Sequence, residues 1–400
     1  MEGSLLESEF LPFDSRRCTN RSNKGIYRKS GGKEEMNKAF RFRIYPNKKQ
    51  EELLQKTFGC ARFIYNKMLG EKIAYYELTG ETLKTTPAKY KEEYPFLKEV
   101  DSLALANAQL HLETAYKNFY QNPKIGFPKF KSKHKSAKAY TTNVVNGNIE
   151  LIDGKLKLPK IENVRIKQHR PIPEGYKLKA VTISQEPSGK YYASLLYYYE
   201  GNENQVMISS DSKILGIDYA MHGMAVFSDE LEASNPGYMK MSIEKLAKEQ
   251  RRLSRCQKGS KNYEKQKRKV ALCHEKVKNQ RKDYIHKLSR KICEEYMAVG
   301  VEDIDMKAMS QCLNFGKSVM DNSYGMFRDV LKYKLEEQGK KLVKVDRFYP
   351  SSKTCSSCGR VKESLELSER IYRCECGLVM DRDKNAAINI REEARRMLIA

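Results

Sequence analysis

Lys213-Ile214-Leu215-Gly216-Ile217-Asp218 is an apolar run that ends in a carboxylate. A buried strand reads this way: continuous apolar residues, then a polar one where the chain leaves the sheet. Tyr219-Ala220-Met221-His222-Gly223-Met224-Ala225-Val226-Phe227 continues as a turn and a second strand, so the spacing predicts a hairpin with Asp218 on its first strand. Two further segments repeat the theme of an acid at the edge of an apolar element. Met297-Ala298-Val299-Gly300-Val301-Glu302 follows a helical stretch and ends in Glu. Asp381-Arg382-Asp383-Lys384-Asn385-Ala386-Ala387-Ile388-Asn389-Ile390 opens a helix with Asp383 near its N-terminus. Strand and helix alternating in this order predict an α/β domain.

Three acids on separate elements suit two-metal phosphodiester hydrolysis. In that chemistry carboxylates converge on two Mg²⁺ ions ~4 Å apart, one helping to generate the attacking hydroxide and the other stabilising the leaving oxygen. Hard oxygen ligands suit Mg²⁺ and leave positions open for water and phosphate. Each acid also has an ordinary structural explanation: a turn-capping Asp218, a surface Glu302 and an N-cap Asp383. Asp381 competes with Asp383. The helical face of Asp383 carries Ala386, Ala387 and Ile390, which suits close packing on a sheet and favours Asp383 pointing inward. Asp381, Asp303 and Asp305 read as exposed or supporting groups.

Cys355-Ser356-Ser357-Cys358-Gly359 and Cys374-Glu375-Cys376-Gly377 are separated by 15 residues. Two such knuckles predict a tetrahedral thiolate cage for one Zn²⁺. Four thiolates leave no open position, so this zinc folds its segment rather than catalysing. The other six cysteines (Cys18, Cys60, Cys256, Cys273, Cys293, Cys312) show no pairing logic, which fits a reducing cytoplasm.

The chain has 400 residues, with 75 Lys and Arg against 51 Asp and Glu, a net +24. That surplus points to a polyanionic partner, most often nucleic acid. No run of 18 apolar residues is present, which excludes a membrane-spanning helix, and Glu2, Glu7 and Glu9 do not suit a secretory signal. Residues 244–293 read as a charged helical pair with 18 Lys and Arg against 5 Asp and Glu, a net +13. More than half of the surplus therefore lies on one hairpin, read as a phosphate-facing surface through Arg251, Arg252, Lys258, Lys261 and Arg281. Its apolar seam is thin: Ile243, Leu246 and Leu253, then Val270, Val277, Ile285, Leu288 and Ile292.

Towards the N-terminus, Phe40-Arg41-Phe42-Arg43-Ile44 alternates like a strand, and apolar residues recur at helical spacing over 48–121. Gly126-Phe127-Pro128-Lys129-Phe130-Lys131 interleaves aromatics with lysines, a composition that suits stacking bases and holding phosphates and equally suits a plain basic loop. Residues 140–200 read as short antiparallel strands, with a hairpin at Asp153-Gly154. Together with residues 38–45 they predict a small barrel. Residues 1–35 carry only +1 of the charge and read as a disordered or non-native extension, with Met36 as the natural start. The Gly31-Gly32 codons would then supply a purine-rich ribosome-binding sequence.

The segments 36–46, 58–66 and 126–131, Gly216-Ile217-Asp218, Val301-Glu302-Asp303-Ile304, the cysteine knuckles and Asp381–Ala387 together resemble the TnpB (OrfB) transposon-encoded nucleases, in order from Met36 to about residue 395. These are relatives of type V CRISPR effectors. The resemblance implies an α/β multidomain chain. A RuvC-like nuclease of RNase H fold would carry an inserted zinc ribbon, beside an N-terminal wedge β-barrel with an inserted helical recognition domain. The expected layout is a wedge strand at 36–47, recognition helices at 48–135 and the wedge barrel at 136–208. The nuclease follows at 209–350, the zinc ribbon at 351–379 and a closing nuclease segment at 380–400. Asp218, Glu302 and Asp383 match the three RuvC carboxylates. Tyr219-Ala220-Met221 departs from the small turn common in the family, which bears on rate while the carboxylate remains.

The implied activity is RNA-guided cleavage of double-stranded DNA beside a short adjacent motif. Cofactors would be two catalytic Mg²⁺, one structural Zn²⁺ and a transposon-derived guide RNA, in a cytoplasmic, nucleoid-associated protein. Arg62, Tyr65 and Asn66 are expected to read the motif, with Lys129 and Lys131 on nucleic acid. An RNA-guided binder that does not cut, and a compact CRISPR effector, are the alternatives. A transposase is disfavoured, because His222 is followed by Gly223 and Met224 rather than by the His-x-His arrangement.

Overall fold

The computed structural model describes residues 34–201, 206–220, 224–231, 238–304, 323–366 and 368–399. The expectations placed on residues 1–33, on Met221-His222-Gly223, on Asp305 and on Cys18 and Cys312 lie outside them. The chain divides into two compact units, residues 1–202 and 203–400. No described helix is long and apolar enough to cross a membrane.

The first unit is built on an antiparallel sheet. Its strands are β1 (Glu34–Tyr45), β2 (Lys138–Asn143), β3 (Glu150–Ile152), β4 (Lys155–Leu158), β5 (Glu162–Lys167), β6 (Lys177–Gln185) and β7 (Tyr191–Gly201). Their order is β2-β6-β7-β1-β5-β4-β3. The early strand therefore lies centrally, paired with β7 along nearly its whole length and with β5 at its C-terminal end. The expected barrel is open in its hydrogen bonding: among the described residues no ladder joins β2 to β3. Asp153 and Gly154 both take positive φ (47° and 69°), as a two-residue hairpin turn requires.

Two helices cover this sheet, α1 (Lys48–Thr79) and α2 (Ser102–Gln121). Asn47 caps α1 in a full capping box with Gln50, and Gly80 ends it in the left-handed conformation. Leu54, Phe58, Ile64 and Met68 of α1 join Phe40, Phe42 and Ile44 of β1, with Val181 and Leu195, in one apolar cluster. A single core thus spans residues expected to belong to two domains. The helices cannot bury their faces without the sheet.

The second unit has a four-stranded sheet in the order β11-β10-β8-β9. Its members are β8 (Ile214–Tyr219), β9 (Ala225–Phe227), β10 (Ala298–Glu302) and β11 (Lys341–Val345). β10 runs parallel to both β8 and β11, whereas β9 folds back antiparallel on β8 as the predicted hairpin. The connection between β9 and β10 contains the basic pair α3 (Tyr238–Ser254) and α4 (Lys261–Glu295). Their seam is buried at Leu246, Leu253 and Val270, but Ile243 is exposed because it falls off the contact stripe. Next come α5 (Tyr324–Glu336), the small hairpin β12 (Ile371–Arg373) and β13 (Val379–Asp381), and α6 (Arg382–Ile399).

α6 lies against the parallel strands at two glycines. A Cβ at Gly216 would stand 2.0 Å from the Ala387 carbonyl oxygen, and one at Gly300 would stand 2.6 Å from the Ala394 Cβ. On the helix side Ala386, Ala387 and Ile390 are buried, as the helical spacing predicts. No side chain fits between helix and sheet here, so Gly216→Ala forces α6 away. We expect that variant to lose about 1–3 kcal/mol of stability, measured by thermal melting. A variant that melts like the parent would contradict the contact.

Candidate metal centres

The parallel pairing of β8 with β10 brings the C-terminal ends of two strands side by side, with Ile217 opposite Val301. Asp218 and Glu302 each follow directly. Asp383 arrives from the first turn of α6, which the two glycine contacts hold on the same strands. Burial pushes the Asp218 carboxyl well above the usual carboxylate range; the charges of Glu302 and Asp383 add to it, and the Tyr219 backbone N–H and Arg382 oppose it. Burial also raises Glu302. Asp218, on one strand, thus feels acids carried by a second strand and by a helix.

Asp381 and Asp383 differ in their backbone contacts. Asp381 Oδ1 accepts the backbone N–H groups of Asp383 and Lys384, both at 2.9 Å. Asp381 is thus the N-cap of α6, and Asp383 is free of that task. Asp303 pairs with Lys344 at 3.0 Å and is a supporting surface group. Asp229, just past β9, was not singled out from sequence. It accepts from Tyr296 Oη at 2.9 Å and pairs with Arg391 at 3.4 Å, while its carbonyl takes Lys384 Nζ at 2.7 Å. It ties the start of α6 to β9, through contacts too distant in sequence to leave a local signal.

The donor set of the three acids suits a hard divalent cation, being all oxygen. The Tyr324 hydroxyl, fully buried and under the influence of Asp218 and Glu302, has no hydrogen-bond partner among the described residues. A water on a hydrated cation would satisfy it.

The second centre is the cysteine quartet. The Sγ atoms of Cys355, Cys358, Cys374 and Cys376 all lie within 4.8 Å of one another, the one such group of metal-ligating side chains among the described residues. Cys355 to Cys376 and Cys358 to Cys374 are both 3.6 Å. Four sulfurs ~2.3 Å from one zinc stand ~3.8 Å apart, so the cage has the size zinc needs. None of the eight described cysteines is disulfide-bonded.

The first knuckle is fastened to α6. Asn385 Oδ1 accepts from the Ser356 backbone N–H at 3.0 Å, and its Nδ2 donates to the Thr354 carbonyl at 2.7 Å. Asn389, one turn on, donates to the carbonyls of Ser351 and Thr354, both at 2.7 Å. Both asparagines are buried. Asn385→Ala leaves the half-buried Ser356 N–H without its acceptor, while the Thr354 carbonyl keeps Asn389, so it is expected to cost about 1–2 kcal/mol, read as a lowered melting temperature. An unchanged melt would remove this fastening.

The residues expected to touch nucleic acid are dispersed. Arg251, Arg252, Lys258 and Lys261 are exposed on the basic pair, with Arg252 ion-paired to Glu249 at 3.1 Å; Arg281 is half-buried on α4. Arg62 is half-buried on α1. Tyr65 and Asn66 are both engaged with the Lys131 segment. Tyr65 is only 5% exposed and lies under the Lys131 ammonium, 3.8 Å from its ring centroid. Asn66 exchanges two hydrogen bonds with the Lys131 backbone. Both clamp the Lys129–Lys131 loop onto α1. That loop leaves Lys129 and Phe130 exposed.

Comparison with known proteins identifies the family. A family profile described as "Probable transposase" matches residues 197–313, and one described as "Cas12f1-like, TNB domain" matches 324–390. A protein of Streptomyces pristinaespiralis named "Putative RNA-guided DNA endonuclease" is 35% identical over 89% of each chain. This chain belongs to the TnpB family. InsQ of Escherichia coli K12, which carries the same description, is 27% identical over 88% of this chain and 91% of its own. Among solved structures, a Cas12f1–sgRNA–target DNA complex shares the fold with a TM-score of 0.54 and 14% identity, covering 89% of this chain and 99% of that one. A third profile, described as a helix-turn-helix domain, matches residues 36–81. In this TnpB-family chain those residues form β1 and the single continuous helix α1.

Proposed function

We propose that the chain is an RNA-guided DNA endonuclease of a transposable element that cuts double-stranded DNA beside a short adjacent motif. The observation that carries this is the meeting of Asp218, Glu302 and Asp383, registered in the raised Asp218 carboxyl. The parallel-sheet unit is the RuvC-like, RNase H-type nuclease, and 351–379 its inserted zinc ribbon. The antiparallel sheet and its helices are the wedge and recognition regions. Two Mg²⁺ ions, when bound, supply the Lewis acidity for attack by water and for departure of the leaving oxygen. Asp218, Glu302 and Asp383 would hold them. Tyr324 would donate from beneath, and Asp229 would keep the first turn of α6 in place through Lys384 and Arg391. Four cysteines would hold one Zn²⁺ that folds the ribbon.

A transposon-derived guide RNA would lie on the basic pair and the wedge, and base pairing would read the target. Arg62, Lys129 and Lys131 remain the proposed contacts of the first unit, with Arg251, Arg252, Lys258, Lys261 and Arg281 those of the second. A cytoplasmic, nucleoid-associated location follows from such partners. Sequencing the RNA that copurifies, then adding Mg²⁺ and a plasmid bearing its complement, tests the proposal. Guide-dependent linearisation is the expected result. Guide-dependent binding with an uncut plasmid would favour the non-cutting alternative instead.

A further inference from the structure

Of the three acids, Asp383 is the one with arginine ion pairs among the described residues, whereas Asp218 meets the Tyr219 backbone N–H. Arg382 approaches Oδ1 with both Nε and an Nη at 3.4 Å, and Arg370 approaches Oδ2 at 3.9 Å. Each oxygen thus faces a different guanidinium. Arg382 is well enclosed, its side chain 14% exposed, and it also reaches the Glu366 carbonyl. Its charge is felt by Asp218 as well. Arg370 is 56% exposed and stands at the entry to β12, in the cysteine-bearing segment. Its carbonyl accepts the Arg382 backbone N–H at 2.9 Å, which keeps the two arginines together.

A second observation points the same way. The four cysteine ligands are already gathered to cage size, but the three carboxylates do not form such a group. Distances of 3.4–3.9 Å are long for charge-assisted hydrogen bonds, so the arginine contacts are displaceable. A planar guanidinium is also the side chain best matched to a phosphate.

We propose that Arg370 and Arg382 form a cationic latch that holds Asp383 away from the metal until a nucleic-acid phosphate draws the arginines off. The two are positioning residues: they compete for Asp383 and thereby couple metal loading to arrival of the strand. An ion would load fully once substrate is present, which limits cutting in its absence. The inference rests on the nuclease reading of the three acids.

Mn²⁺ binding to the full, zinc-loaded chain tests it by electron paramagnetic resonance, with Asp218→Asn as the background. Arg370→Gln is expected to bind Mn²⁺ about fivefold more tightly than wild type without nucleic acid, the scale of one exposed ion pair. Arg382→Gln should gain more. A phosphorothioate single strand that cannot be cut should tighten Mn²⁺ binding in the wild type and much less in either variant. Loss of a fastening residue would weaken the site, so tighter binding is not the signature of a merely structural role. If Arg382→Gln does not fold, Arg370→Gln alone decides. An Asp218-dependent site whose affinity is unchanged or weaker in Arg370→Gln overturns the latch, as does a wild-type affinity indifferent to the strand. Absence of any Asp218-dependent site overturns the latch and the nuclease reading together.

Discussion

Asp218→Asn is expected to lower guide-dependent cleavage by at least about 10³-fold while RNA and DNA binding persist. Asp218 feels both other acids, so in the proposed two-metal centre it is the group whose removal would loosen both ions. The same substitution has a stability signature of opposite sign. Its carboxyl is raised in the folded chain above an ordinary value of about 3.9. It therefore contributes stability that is present below that value and is lost as pH rises through the raised one. At neutral pH without Mg²⁺ the carboxylate is a buried, repelled charge, and Asp218→Asn should melt higher than wild type. Added Mg²⁺ stabilises the wild type and narrows the gap, and so does acidification. Differential scanning in Mg²⁺-free buffer, at neutral and acidic pH, reads this directly. A variant that still cuts with Mg²⁺, or that melts lower at neutral pH without it, removes Asp218 from the centre.

Cys374→Ser is expected to have the largest effect on folding. A four-thiolate zinc site can hold on the order of 10 kcal/mol of folding free energy. Among the described residues of 351–381, Cys355 and Tyr372 are the apolar ones fully enclosed. Losing the zinc should open this segment to proteases and reduce zinc from one per chain to none, by elemental analysis. Cleavage should fall as well. β13 leads directly into Asp381, which caps α6 two residues before Asp383, and Arg370 belongs to the same hairpin. Full zinc content and undiminished protection in the variant would exclude Cys374 from the site.

Much of the candidate site was legible because its signals are local. A parallel strand enclosed on both faces must be apolar throughout, so a carboxylate at its end stands out. Cysteine knuckles are equally local, since chelation constrains spacing. The hairpin at Asp153-Gly154 announced itself through the positive φ that such turns demand. Gly216 and Gly300 sit within apolar strands, yet nothing in those strands says why they are glycine. The reason is the backbone of α6, more than 80 residues away in each case. Asn385 and Asn389 were likewise visible only as polar residues on a helix, and their partners lie in the first knuckle. That Tyr65 and Asn66 hold the Lys131 segment was equally invisible, because the partner lies 65 residues away from Asn66.

The sequence by itself determined the elements, the three acids, the four thiols and the concentration of positive charge on 244–293. Each of these follows from residue type and near-neighbour spacing. Only the tertiary structure decided which of Asp381 and Asp383 caps the helix, that one core joins the early helices to the antiparallel sheet, and that arginines face Asp383. Those outcomes depend on which backbones approach each other, and the approach is governed by packing between segments far apart in the chain.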